Sequence, residues 1–122
     1  MHDTKIQNQS NPLSQPVTAH YCSSFFCRLR GLTFRRKLPK NQGLLLVQKS
    51  ENRIDSAIHM LFVWFDLTVI WIDSSFTVVD KKLAKAWHLF YHPRQPAMYV
   101  LELNSDHIND FYIGDQIEIV KQ

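Results

Sequence analysis

The longest apolar stretch in the chain runs from Ile54 to Asp73, IDSAIHMLFVWFDLTVIWID, and between Ala57 and Ile72 only His59, Asp66 and Thr68 interrupt it. A membrane-spanning helix needs about 20 mostly apolar residues, and this run is too short and too often broken. Ile, Val, Phe, Trp and Thr dominate it, which suits extended chain better than helix. From Leu67 to Ile72 both alternating faces are largely apolar: Leu67, Val69 and Trp71 on one, Ile70 and Ile72 on the other. A strand buried on both faces reads this way. The segment is therefore expected at the centre of the fold, with a break in the longer stretch near Asp66.

The rest of the pattern consists of shorter pieces. Residues 1–16 are polar, contain Pro12 and Pro16, and are expected to form a flexible tail; residues 17–122 then form one domain. Strands are predicted at Val17–Tyr21, Leu44–Gln48, Phe76–Lys81, Ala97–Leu103 and Ile113–Val120. Turns are expected at Asn41-Gln42-Gly43, Asp73-Ser74-Ser75 and Gly114-Asp115. Ser23 or Ser24 can cap a short helix that Gly31 ends, and Asn104 or Ser105 can cap one helical turn over Asp106–Phe111. His88 to His92 has helical spacing, but Pro93 and Pro96 stop a helix there. Short strands with hairpin turns and one or two short helices predict a mainly β fold, α+β at the margin. The architecture would be an antiparallel sandwich or a partly open barrel.

Composition changes this picture little. The 122 residues suit a single core, and three glycines leave no glycine-rich phosphate cradle. The formal charge of +3 is split, with a basic excess before residue 54 and an acidic excess after it; pairing of the two halves in the fold is the simplest account. The N-terminus has no apolar core of the signal-peptide type, so a cytoplasmic protein is expected. Cys22 and Cys27, five apart, would point away from each other on a helix, so two reduced thiols are predicted.

Arg28-Leu-Arg-Gly31-Leu32-Thr-Phe-Arg35, then Leu38-Pro39, then Gly43-Leu44-Leu45 resembles the signature of the "domain of unknown function 192" family. Ser56 to Met60, Phe65 to Asp73, Tyr99 to Leu103 and Ile113-Gly114-Asp115 resemble its later motifs, in the same order and spacing. The likeness covers about residues 19–120. It departs at Asp66, where the family usually has Pro, and at Thr68, where it usually has Asp. Thr33 and Leu44 or Leu45 replace characteristic Met residues, and Asn104-Ser105 lacks a common Gly. The resemblance implies a small β-rich domain of a family in which many members are exported or lipid-anchored, and it supplies no reaction.

Candidate chemistry is sparse. Arg28, Arg30, Arg35, Arg36, Lys37 and Lys40 form a basic segment beside Phe25, Phe26 and Phe34, a mixture able to hold single-stranded nucleic acid. A solvated loop with core-facing rings is the plainer reading. Arg28 and Arg35 fall on family positions and are expected to pair with Glu102, Asp73 or Asp115, since Arg suits bidentate carboxylate contacts. Because an imidazole in general titrates near neutral pH, His59 could act as an acid/base with Asp66 or Glu102, although a core histidine is commoner on such a strand. His88 with His92, and His20 with Cys22, lack further metal ligands. Glu102, inside an apolar strand, either faces water at an edge or pairs with an Arg. The P-loop, nucleophile-elbow, zinc-protease and dinucleotide motifs are absent from the sequence. The reading that fits best is a non-catalytic binding or accessory module without cofactor or metal. Its partner would be a small anionic ligand or a protein, and the ligand residues would be Arg28, Arg35, His59, Asp66, Glu102 and Asp115.

Overall fold

The computed structural model describes residues 3–24, 27, 37–53, 58, 60, 63–87 and 91–122. Its seven strands are β1 (Asp3–Asn8), β2 (Val17–Cys22), β3 (Gln42–Asn52), β4 (Leu67–Ile72), β5 (Val78–Ala84), β6 (Ala97–Asn104) and β7 (Ile117–Lys121). They form one sheet in the order β5-β4-β6-β3-β2-β1-β7. Every pairing is antiparallel except β2 with β3. That exception corrects the fully antiparallel expectation. The connection between β2 and β3 exceeds the dozen or so residues that a parallel crossover requires.

The sheet curls into a half-barrel, a partly open barrel and not a sandwich. Its two edge strands approach at one end, where Thr77 bridges Gln116 and Val78 N–H donates to the Asp115 carbonyl. Inside the curl lie Ile6, Val17, Leu45, Ile70, Ile72, Val78, Leu101, Leu103, Phe111 and Ile117, drawn from both halves of the sheet. On the outer face Leu44, Leu46, Leu67, Val69, Trp71 and Val100 pack beneath Leu38, Ile58, Met60 and Val63. All six residues of β4 are buried, as its double-sided apolar pattern predicts, and Trp71 is fully so.

Three local expectations are corrected. Asp3–Asn8 is not part of a tail: it is a strand between β2 and β7. It carries one large inward apolar residue, Ile6; its other inward positions, Thr4 and Asn8, are buried on hydrogen bonds to the Ala19 carbonyl, the Asp110 carbonyl and the Asp115 carboxylate. The last strand begins at Ile117, with Gly114 at φ +98° in the turn before it. Cys22 and Cys27 are joined as a disulfide with Cα atoms 5.6 Å apart. Cys22 closes a strand and only Cys27 is helical, so helical spacing does not govern the pair, and the separation suits a bridge. The helical turn near residue 105 is a 3-10 turn over Ser105–Asn109, with the Asn104 side chain accepting from Asp106 N–H. The short helix expected before Gly31 falls outside the described residues except at Cys27.

Candidate functional site

Register places the chemistry. Partners across β1, β2, β3, β6, β4 and β5 run Asp3, His20, Leu44, Glu102, Val69 and Lys82. Paired residues share a face, so this row crosses the outer side of the sheet at about 4.8 Å per strand. Two features stand on it.

The first is Glu102. Contrary to one of the two sequence expectations, it does not face water at an edge; the arginines expected to pair with it, Arg28 and Arg35, lie outside the described residues. It lies on central strand β6, 4% exposed, between Leu44 and Val69, and its Oε1 has no hydrogen-bond partner among the described residues. Burial pushes its carboxyl up from 4.5 to about 7, because the charged form loses its hydration without compensation.

The second is a pocket of about 330 Å³ over β2 and β3, lined by Asp3, Thr18, His20, Leu38, Asn41, Gln42, Gly43 and Leu44. Its floor is sheet, and its wall is the segment Leu38–Asn41. Four contacts fix that wall. Asn104 Nδ2 donates to the Leu38 carbonyl at 2.9 Å, and His107 Nε2 meets the Lys40 carbonyl. Gln42 N–H donates to the Pro39 carbonyl and Thr18 N–H to the Asn41 carbonyl. The Asp110 carboxylate, 2.9 Å from Nδ1, holds the buried His107 ring in place. At the other side His20 Nδ1 faces the Asp3 carboxylate at 3.2 Å, which turns the second ring nitrogen away from the pair. Lys5 lies opposite Thr18 across the β1–β2 ladder. Lys37 and Lys40 flank the wall, and all three lysines are exposed. Asp3 is the one acid in the lining.

The remaining sequence candidates divide. Arg28, Arg35 and His59 lie outside the described residues, as do Arg30 and Arg36 of the basic segment and the His88 of the spaced histidine pair. Asp66 and Asp115 are not brought to Glu102. Asp66 stands before β4, where its Oδ1 accepts from Ala86 N–H at 2.9 Å and its Oδ2 lies 3.3 Å from Lys85 Nζ. The Ala86 N–H and then Lys85 hold its carboxyl below the usual range. Asp115 lies near the opposite end of the β4–β5 hairpin, roughly 20 Å away by strand length, where Oδ2 accepts from Asn8 Nδ2 and Tyr112 N–H. Asp73 accepts from Ser75 and Thr77 N–H within its own turn. Asp66, Asp73 and Asp115 thus stitch loops. His20 and Cys22 do share the outer face, but no group of three metal-ligating side chains occurs among the described residues. Nothing in the local pattern marks His107 or Asn104 as wall supports, because both act on residues more than sixty positions away.

Comparison with known proteins agrees with this frame. UPF0127 protein TK1120 of Thermococcus kodakarensis is 43% identical over 79 residues, 65% of this chain and 48% of its own. UPF0127 protein PH1112 of Pyrococcus horikoshii is 34% identical over 97 residues, 80% of this chain and 81% of its own. The chain thus spans about half the length of the Thermococcus kodakarensis and Thermococcus gammatolerans relatives. Among crystal structures, a Sinorhizobium meliloti protein described as a conjectured transcription regulator superposes with a TM-score of 0.81 at 21% identity, over 97% of this chain and 92% of that one. A Novosphingobium aromaticivorans protein of unknown function gives 0.77 at 16%, over 95% and 83%. At those identities the structures share the fold alone. The family model described as "Uncharacterized ACR" matches residues 5–119, and the chain belongs to that uncharacterised family, DUF192, whose curated members are named UPF0127.

Proposed function

We propose that this domain is a non-catalytic binding module that takes a small anion in the pocket over β2 and β3. The observation that carries the reading is the pocket's construction. Thr18, His20, Asn41 and Gln42 offer hydrogen bonds, the wall is pinned by Asn104 and His107, and Lys5, Lys37 and Lys40 outnumber Asp3 around it. A pre-formed concavity with a few placed polar groups is the usual form of a small-molecule site, and a positive rim raises the local concentration of anions. The one acid/base pair in the lining, Asp3 with His20, stands in solvent, its side chains 54% and 37% exposed, which is why binding is preferred to catalysis.

Isothermal titration with a panel of carboxylates and phosphorylated metabolites tests it. His20→Ala and Lys5→Ala should each weaken binding several-fold without moving the melting point. Binding that survives both substitutions, or that responds only to single-stranded oligonucleotides, overturns the reading. The setting belongs to the proposal too. No helix among the described residues is long and apolar enough to cross a membrane. The Cys22–Cys27 bridge favours a place where disulfides persist: an oxidising compartment, or the cytoplasm of a hyperthermophile such as the archaea that supply the relatives.

A further inference from the structure

Two tryptophans on the surface are held against each other, one of them at a strained backbone position. Trp64 is 59% and Trp87 43% exposed. Their rings meet at 84°, with centroids 5.0 Å apart. Trp87 also sits at φ +66°, a left-handed conformation that costs a side-chain-bearing residue about 1–2 kcal/mol. Much of that indole is in water, so burial returns only part of the cost. The backbone around it is nonetheless fixed from several sides. Trp87 N–H donates to the Met60 carbonyl, Ala86 N–H to Asp66 Oδ1 and Lys85 N–H to the Tyr91 hydroxyl. Strain kept at a solvent-facing position, by a surrounding structure that over-determines it, marks a site held for use.

The geometry points to a second binding site, formed by Trp64, Trp87 and Asp66, for a ligand carrying a quaternary or methylated ammonium group. Two indoles at right angles make a corner whose electron-rich faces attract a diffuse, weakly hydrated cation. Asp66 lies two residues from Trp64 and is hydrogen-bonded to the residue before Trp87, so it brings a carboxylate to the same turn. Lys85, 3.3 Å from that carboxylate and largely exposed, is the resident cation and can swing away. A neutral sugar or an apolar peptide would use the rings but has no need of the acid.

The test follows the three indole N–H signals of the protein by NMR while choline chloride is added. The control is 3,3-dimethyl-1-butanol, which has the same shape without the charge. Choline should shift two signals, leave that of buried Trp71 in place, and bind more tightly than the alcohol. Trp64→Ala and Trp87→Gly should each weaken choline binding roughly 2- to 30-fold. Trp87→Gly should do so without loss of melting temperature, because glycine is relaxed at positive φ. Asp66→Asn keeps an acceptor for Ala86 N–H and removes the charge, so it should weaken choline binding while leaving the alcohol's unchanged; Lys85→Met should strengthen it. Equal responses to choline and the alcohol, no response to either, or indifference of choline binding to Asp66→Asn overturns the proposal. The small-anion pocket is untouched by any of these results, since its lining shares no residue with this site.

Discussion

Replacing Glu102 by Met should make the protein more stable, and the gain should depend on pH in a defined direction. The carboxyl is raised from 4.5 to about 7 by burial, so between those values the folded state holds a proton that the unfolded chain has released. Stability therefore falls as pH rises from about 4.5 to about 7 and stays at the lower level above that. At about 1.4 kcal/mol for each tenfold, the full displacement is a penalty of ~3 kcal/mol at pH 8 and a small one at pH 5. Met fills a similar volume between Leu44 and Val69 and brings no group needing a hydrogen bond, whereas Gln would leave a buried amide unpaired. Urea melts of parent and Glu102→Met at pH 5 and pH 8 isolate the effect, because every other titrating group is common to both. The variant's advantage should grow by roughly 2–3 kcal/mol between the two pH values. Parallel pH profiles would show that Glu102 is compensated when charged and would refute the account of an unpartnered carboxylate.

Trp71→Ala empties a fully buried site on the central strand and should cost about 3–5 kcal/mol in the same melts. Gly43→Ala should cost about 1–3 kcal/mol, because a Cβ there would lie 2.6 Å from Leu103 Cδ2 and 2.9 Å from the Glu102 carbonyl oxygen, and the second of these is backbone in a paired strand. After unfolding without reductant the chain should titrate no free thiol, and Cys22→Ser with Cys27→Ser should lose ~2 kcal/mol, the loop-closure value for so short a ring.

Where hydrophobic alternation carries the information, the fold was legible in the sequence. Leu67–Ile72 announced itself as a doubly buried strand, and Val17–Tyr21 and Ala97–Leu103 lie within one residue of β2 and β6. β1 was not legible, since two of its three inward positions are Thr4 and Asn8 and their burial rests on partners as far along the chain as Asp115. The same reason hid the pocket wall: what fixes Leu38–Asn41 is Asn104 and His107, more than sixty residues away. The disulfide was misread because a helical spacing rule was applied to two residues of which one, Cys22, ends a strand. Glu102 was correctly singled out as a charge in an apolar strand, but which face it occupied depended on the β3–β6–β4 register, a property of three strands together.

The central claim is that small anions enter the pocket between the β2–β3 floor and the Leu38–Asn41 wall. The most direct measurement is a titration of the isotopically labelled protein with inorganic phosphate at constant ionic strength, followed through its backbone amide resonances. The account expects saturable shifts at Thr18, His20, Asn41, Gln42 and Leu44, lost in His20→Ala. Shifts confined to other surfaces, or a response at those residues that never saturates, would contradict it.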